Sequence, residues 1–324
     1  MLATIQENLK YKSINNYIGT NPNLCHKLIM IGNSSGIKEI FDRRSVKLHR
    51  DRAVKNLDNH DFLFCEVARM LDEKINDVQR DFSLGLDLGC HTGQIEKILG
   101  EQRKIKTILK CDISEKMVRK TSSLRFAADE EFLPIADALL DIVISCLSLH
   151  WVNDLPGVLV QIRRALKKDG LFIGALFGGE TLKELRQSLI TAEGQILGGI
   201  SPRVSPFLDI RDGGALLQRA GFALPVVDTD VLTVSYSNPL KLMNDLRGMG
   251  EQMATHTRQK SFTRRTILSR AADIYQSDFG DKEGRVPASF EIITLTAWAP
   301  SNDQPKPLIP GSGKINLANI LGRK

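Results

Sequence analysis

No run of about 18 consecutive apolar residues occurs anywhere in the chain, which argues against a membrane-spanning helix. Cysteine is sparse, and Cys25, Cys65, Cys90, Cys111 and Cys146 form no C-x-x-C pair. An odd count, with three of these thiols inside apolar segments, argues against a disulfide framework or a structural zinc site and for a reducing compartment. Arginine is missing from the first 39 residues, which contain Glu7 and no continuous apolar stretch. They fit neither a secretory signal nor an Arg-rich transit peptide. Residues 1–39 are therefore expected to be a loosely ordered extension, with Met30 as an alternative start.

The balance of 25% charged and 42% hydrophobic residues is that of a soluble globular protein. A length of 324 residues suffices for one large domain, or one with a smaller appendage. The formal charge of +6 suits an acidic partner without requiring one. Residues 40–82 open with a basic amphipathic stretch, IFDRRSVKLHRDRAVKN, and continue as a helix pattern carrying Phe64, Val67, Ala68 and Leu71.

Between 83 and 178 the texture alternates. Leu84, Leu86 and Leu88 form a strand into Gly89, and Ile105–Cys111 forms a second; Ser114 caps a helix running to Lys120. Strands follow at Phe126–Ala128 and Leu140–Leu147, then a helix at Leu155–Leu166 and a strand at Gly170–Phe177. This alternation predicts an α/β fold, a mostly parallel sheet with helices on both faces. Residues 179–300 add helices at Thr181–Leu189, at Arg211–Ala220 and through most of 239–279, with strands in VVDTDVLTVSY and at Phe290–Trp298. Residues 301–324 read as a peripheral tail.

The chemistry concentrates in Asp87-Leu-Gly89-Cys90-His91-Thr-Gly93, at a strand end before a helix pattern. Glycine lets a ligand lie against the backbone and lets the chain take left-handed angles. The following helix offers free N–H groups. An acidic residue about 20 positions on, at the end of the next strand, would take ribose hydroxyls, and Asp112, followed by Ile113, stands there. Asp129 and Glu130 follow the third strand, where a carboxylate can accept from an adenine amino group. The fourth strand, with Ser145, opens onto His150 and Trp151 at the sheet edge where ligands of open α/β sheets bind.

The strings LDLGCHTG, CDIS, ADEEFLP, LLDIVIS, LSLHWVNDL and LKKDGLFIG, in that order, resemble the S-adenosylmethionine (SAM)-dependent methyltransferases of the type 11 group. That resemblance implies a Rossmann-like class I fold with a seven-stranded sheet. Over most of 40–300, IFDR, FIGALFGGETLKELR, SPFLDIRDGGALLQRAGF, DLRGMGE and VPASFEI are similar to the mitochondrial complex I assembly factor five family and its bacterial relatives. Family members are credited with hydroxylating an arginine of a complex I iron–sulfur subunit. The resemblance implies SAM as cofactor, held by Asp87, Gly89, Cys90, His91, Gly93, Asp112, Ile113, Asp129, Glu130 and Ser145. His91 departs from the family pattern, which usually has glycine there.

The resemblance identifies no catalytic residue, and alignment alone serves methyl transfer. No Asn-Pro-Pro-Tyr-like motif follows the fourth strand, which disfavours nucleic-acid base methylation. His49-Arg50-Asp51 has H-x-D form, but a solvated face of a basic helix is the better reading, and no metal site is expected. Arg43, Arg44, Lys47, Arg50 and Arg52 likewise read as an exposed charged face, and no nucleic-acid partner is expected. Residues 179–279 are expected to cap the pocket as a helical insertion. Candidate substrate-side residues are His150, Trp151, Gly178, Gly179, Arg186, Arg203, Asp245, Arg247 and Glu251. The expected partner is a protein, an iron–sulfur subunit of complex I, with at most peripheral membrane association. The expected compartment is the bacterial cytoplasm, or the mitochondrial matrix in a eukaryote. The competing readings are a malonyl-carrier-protein methyltransferase of biotin synthesis and an assembly chaperone with a vestigial pocket.

Overall fold

The computed structural model describes residues 39–100, 104–122, 124–305 and 312. The expected leader, Cys25 and most of the tail lie outside the described residues. The chain opens with helix α1 (Arg43–Ala53) and α2 (Phe62–Asp77), then alternates β1 (Phe82–Leu88), α3 (Gln94–Leu99), β2 (Ile105–Asp112), α4 (Glu115–Val118) and β3 (Arg125–Ala127). It continues through β4 (Leu140–Cys146), α5 (Leu155–Ala165), β5 (Leu166–Phe177), α6 (Lys183–Leu197), α7 (Ile210–Arg219) and β6 (Ala223–Tyr236). Helices α8 (Pro239–Met249) and α9 (Arg265–Phe279) lead to β7 (Val286–Trp298).

All seven strands form one sheet in the order β3-β2-β1-β4-β5-β7-β6. Strands β1 to β5 pair in parallel, and β7 runs antiparallel to both β5 and β6. The strand order reverses between β1 and β4, which places a ligand crevice at their carboxyl ends.

Period-2 alternation divides the core between the two sheet faces. Leu84, Leu86 and Leu88 pack with Leu109, Val143, Phe172 and Leu159 of α5 on one face. Ile142, Ile144 and Ile173 pack on the other, against Phe64, Val67, Leu71 and Ile75 of α2. The helical spacing noted in the sequence is thus the buried stripe of α2.

Residues 239–279 are mainly helical, as expected, in two helices parted by a non-helical stretch over 251–264; Gly250 takes φ 84° at the end of α8. One expectation needs correction: the basic stretch is not uniformly solvated. Arg44, Lys47 and Arg52 are exposed, but Arg50 is only 1% exposed and Arg43 is half-buried, because both point into the crevice.

Candidate active site

The glycine loop has the backbone its composition requires. Gly89 and Gly93 take φ of 75° and 88°, a region other residues enter at a cost. His91 enters it too, with φ 48°. Its imidazole is withdrawn into the core, stacked on Phe64 with ring centroids 4.2 Å apart. Its Nε2 lies 3.1 Å from the Cys146 carbonyl, which makes Nε2 the protonated nitrogen and leaves Nδ1 without a partner. Burial, reinforced by Arg50, lowers its pKa, so the ring is neutral.

The carboxylates expected to meet a nucleoside are close together and already engaged. Asp112 Oδ2 accepts from Arg50 Nη1 (3.0 Å) and the His91 N–H (3.1 Å), while Oδ1 accepts from the Ser114 N–H (2.7 Å). Glu130 Oε1 accepts from Arg50 Nη1 (3.1 Å) and from the Ser148 hydroxyl (2.7 Å). Arg43 reaches Glu130 Oε2 and donates to Asp129 at 2.7 Å. Burial alone would raise the Glu130 carboxyl, but Arg43 and Arg50 override it and hold it down at about 2. Helix α1 is stapled in place by its N-cap Asp42, which accepts from Ser45 and from Arg258 at 3.0 Å. Asn153 Oδ1 accepts from the backbone of Ile40 and Phe41.

Asp87 is the exception. It is fully buried, and neither oxygen has a hydrogen-bond partner among the described residues. Burial, with Asp112 nearby, raises its pKa to about 8. The remaining candidates divide. The Ser145 hydroxyl donates to the Leu88 carbonyl and ties β1 to β4. Cys90 is buried beside the loop and Ile113 is half-buried after β2.

On the substrate side, residues after β5 enclose a cavity of about 170 Å³ beside the crevice. Trp151, Phe177, Phe207, Leu185, Arg203 and Glu251 are among its walls. Glu251 Oε2 accepts from Trp151 Nε1 (2.8 Å) and contacts His150 Nε2 (3.0 Å). Arg203 pairs with Glu193 at 2.6 Å. Gly178, Gly179, Arg186, Asp245 and Arg247 do not line the cavity. Any Cβ at Gly178 would collide with the Glu291 carboxylate, Arg186 holds the carbonyls of Gly179 and Thr181, Asp245 pairs with His60, and Arg247 is exposed. A larger cleft of about 340 Å³, from Asp72 to Ile108, lies at the start of β2 and touches none of these substrate-side residues.

Arg43, Arg50 and Ser148 were not among the residues the sequence singled out for the cofactor site. The only signal was the IFDRRSVKLHRDR stretch itself, whose spacing of seven puts Arg43 and Arg50 on one helix face. Among the described residues no group of three or more His, Cys, Asp or Glu is placed to hold a metal ion. Asp51 instead accepts from the Ser114 hydroxyl at 2.5 Å. Nor is any helix among the described residues long and apolar enough to cross a membrane.

A doubly wound sheet with an antiparallel β7 between β5 and β6 is the fold of a class I methyltransferase domain. The family model "Methyltransferase domain" matches residues 86–174, and arginine-hydroxylase NDUFAF5, mitochondrial, of Danio rerio is 41% identical over 288 residues, covering 87% of this chain and 89% of that protein. The chain belongs to the family of the arginine-hydroxylase NDUFAF5 proteins. A malonyl-[acyl-carrier protein] O-methyltransferase of Methylovorus sp. (strain MP688) is 30% identical over 275 residues, covering 81% of this chain and 90% of that protein. A solved structure from Bacillus halodurans C-125, described as a methyltransferase, superposes with a TM-score of 0.50 at 15% identity over 72% of this chain and 99% of its own. This last likeness speaks for the fold alone.

SAM is the cofactor of this domain, and the residue types suit it: a left-handed glycine loop, the unpaired carboxyl of Asp87, and Asp112 and Glu130. A Cβ at Gly89 would collide with the Ser148 side chain, which requires glycine there. Arg50 pairs with both Asp112 and Glu130, so an adenosyl ligand that uses the same carboxylate oxygens competes with the Arg50 guanidinium.

Proposed function

We propose that this protein is an enzyme of the methyltransferase fold that modifies an arginine side chain of another protein, a subunit of respiratory complex I during its assembly. The observation that carries this reading is the cavity under the cap. At about 170 Å³ it is smaller than the roughly 300–1,000 Å³ of pockets that engulf whole ligands, and it suits a single side chain presented by a larger partner. The name of the Danio rerio relative supports arginine as that side chain, and supports a mitochondrial compartment where the host is eukaryotic.

Bound SAM supplies an electrophilic methyl group. What this chain contributes is placement: Asp112 and Glu130 hold one reactant at the sheet edge, and the 179–279 segment holds the other and excludes water. The test is the intact mass of the complex I iron–sulfur subunit from cells with and without this protein. A difference of one oxygen means hydroxylation and one methylene means methylation. An unchanged mass sinks the reading.

Two other readings each have one observation in their favour. Pairing of Arg50 with Asp112 and Glu130 favours an assembly chaperone with a vestigial cofactor site, and absence of SAM binding at millimolar concentration would support it. The Methylovorus relative favours methylation of a malonyl-carrier protein, which biotin auxotrophy on deletion would reveal.

A further inference from the structure

Glu251 is the group whose chemistry the fold leaves unfinished. It follows Gly250 at the end of α8, in the DLRGMGE string, and its N–H returns to the Leu246 carbonyl at 2.9 Å. Its side chain is 3% exposed. One carboxylate oxygen, Oε2, is held by the Trp151 indole and the His150 imidazole. The other, Oε1, is buried and has no hydrogen-bond partner among the described residues. Burial would raise this carboxyl, but His150 and then Arg50 outweigh it and keep it ionised. A buried carboxylate oxygen without a donor is costly. Here it belongs to a residue lining a cavity whose other walls include Trp151, Phe177 and Phe207.

We propose that Glu251 is the recognition residue for the substrate's guanidinium: an arginine side chain enters the cavity, donates to Oε1, and lies against the aromatic walls. This rests on the reading of the protein as an arginine-modifying enzyme and names the residue that selects the substrate. Aromatic faces and a fixed carboxylate are the two surfaces a guanidinium binds best. Among the described residues the cation on the same cavity wall is Arg203, whose two Nη atoms are committed to Glu193 at 2.6 Å, Thr263 at 2.8 Å and Gln259 at 2.5 Å, while its buried Nε has no partner. The Arg203 charge is matched by Glu193, whereas Glu251 keeps a carboxylate oxygen with no donor among the described residues. A carboxylate-bearing substrate would meet a like charge there, so the site discriminates against a malonyl group.

The test titrates Nα-acetyl-arginine amide and its neutral isostere, Nα-acetyl-citrulline amide, into the full-length protein, followed by ligand-observed NMR. The arginine compound should bind at least about tenfold more tightly than the citrulline one, the gain of a charge-assisted hydrogen bond. This comparison needs no variant. E251Q retains an acceptor for Trp151 and should remain folded, yet bind the arginine compound about tenfold more weakly, with E251D recovering part of the loss. Equal binding of the two compounds, unchanged arginine binding in E251Q, or preferential binding of malonate half-amide overturns the proposal. Intact mass of the complex I subunit separates this failure from failure of the function. A subunit modified equally in wild-type and E251Q cells removes Glu251 alone. One unmodified in wild-type cells removes the function, and the binding comparison still decides Glu251.

Discussion

The cofactor crevice and the cavity beside it are built on opposite principles. In the crevice, Asp112, Asp129 and Glu130 are matched by Arg43 and Arg50, with Asp87 the exception. In the cavity, mostly apolar and aromatic walls surround open volume, and among the described residues Glu251 Oε1 and Arg203 Nε stay unmatched. A matched polar cluster is self-sufficient and must be opened before it can bind. An unmatched group gains a donor when a ligand reaches it and gives up no existing partner in doing so.

The largest effect that would break this contrast lies in the crevice. E130A leaves the buried Arg50 and the half-buried Arg43 short of a counter-charge, and breaking such a network costs about 3–5 kcal/mol. Urea denaturation should show this loss; a change below about 1 kcal/mol would mean that the crevice is not the matched cluster described.

Next in size is Asp87. Its folded pKa of about 8 lies above the unfolded value of 3.8, so the folded state binds the extra proton between these values. The stability that Asp87 contributes is therefore fully present below about pH 4 and is lost as pH rises toward 8. D87N should flatten this fall and exceed wild type by at least about 1 kcal/mol at pH 8. Parallel stability profiles for the two proteins would show that Asp87 has a counter-charge after all.

A third comparison concerns the occupant of the crevice. R50A frees one oxygen each of Asp112 and Glu130, so SAM no longer competes with a guanidinium, and calorimetric titration should show about tenfold tighter binding, the equivalent of one charge-assisted hydrogen bond. Weaker binding would make Arg50 a ligand contact. The smallest effect belongs to Arg247, exposed on α8 away from the cavity. R247A should change stability by less than about 0.5 kcal/mol and leave binding of the arginine compound unaltered. A measurable loss there would extend the recognition surface beyond the cavity.

Much of the fold was legible because its signals are local. Leu84, Leu86 and Leu88 alternate as a strand must, Ser114 accepts from the Met117 N–H as an N-cap should, and Gly89 and Gly93 mark the turn. The site was legible in part. Asp112 and Glu130 stand at strand ends, and strand ends can be counted. Gly178 and Arg186 were drawn toward the substrate by position alone, whereas the fold uses one to make room for Glu291 and the other to bind loop carbonyls. The basic stretch misled because charge pattern reports a helix face and not what that face meets.

The chain's own order of residues determined the strands, the left-handed glycine loop and the acids after β2 and β3, since each follows from side-chain period or turn chemistry within a few residues. Only the tertiary structure decided that Arg50 would meet Asp112, Glu130 and Ser148, which lie 62, 80 and 98 positions away. It alone decided that Glu251 would finish with one oxygen held by residues about a hundred positions distant and the other without a partner. Partners so far apart are brought together by packing of the sheet and its cap, and no local pattern encodes which charge will face which.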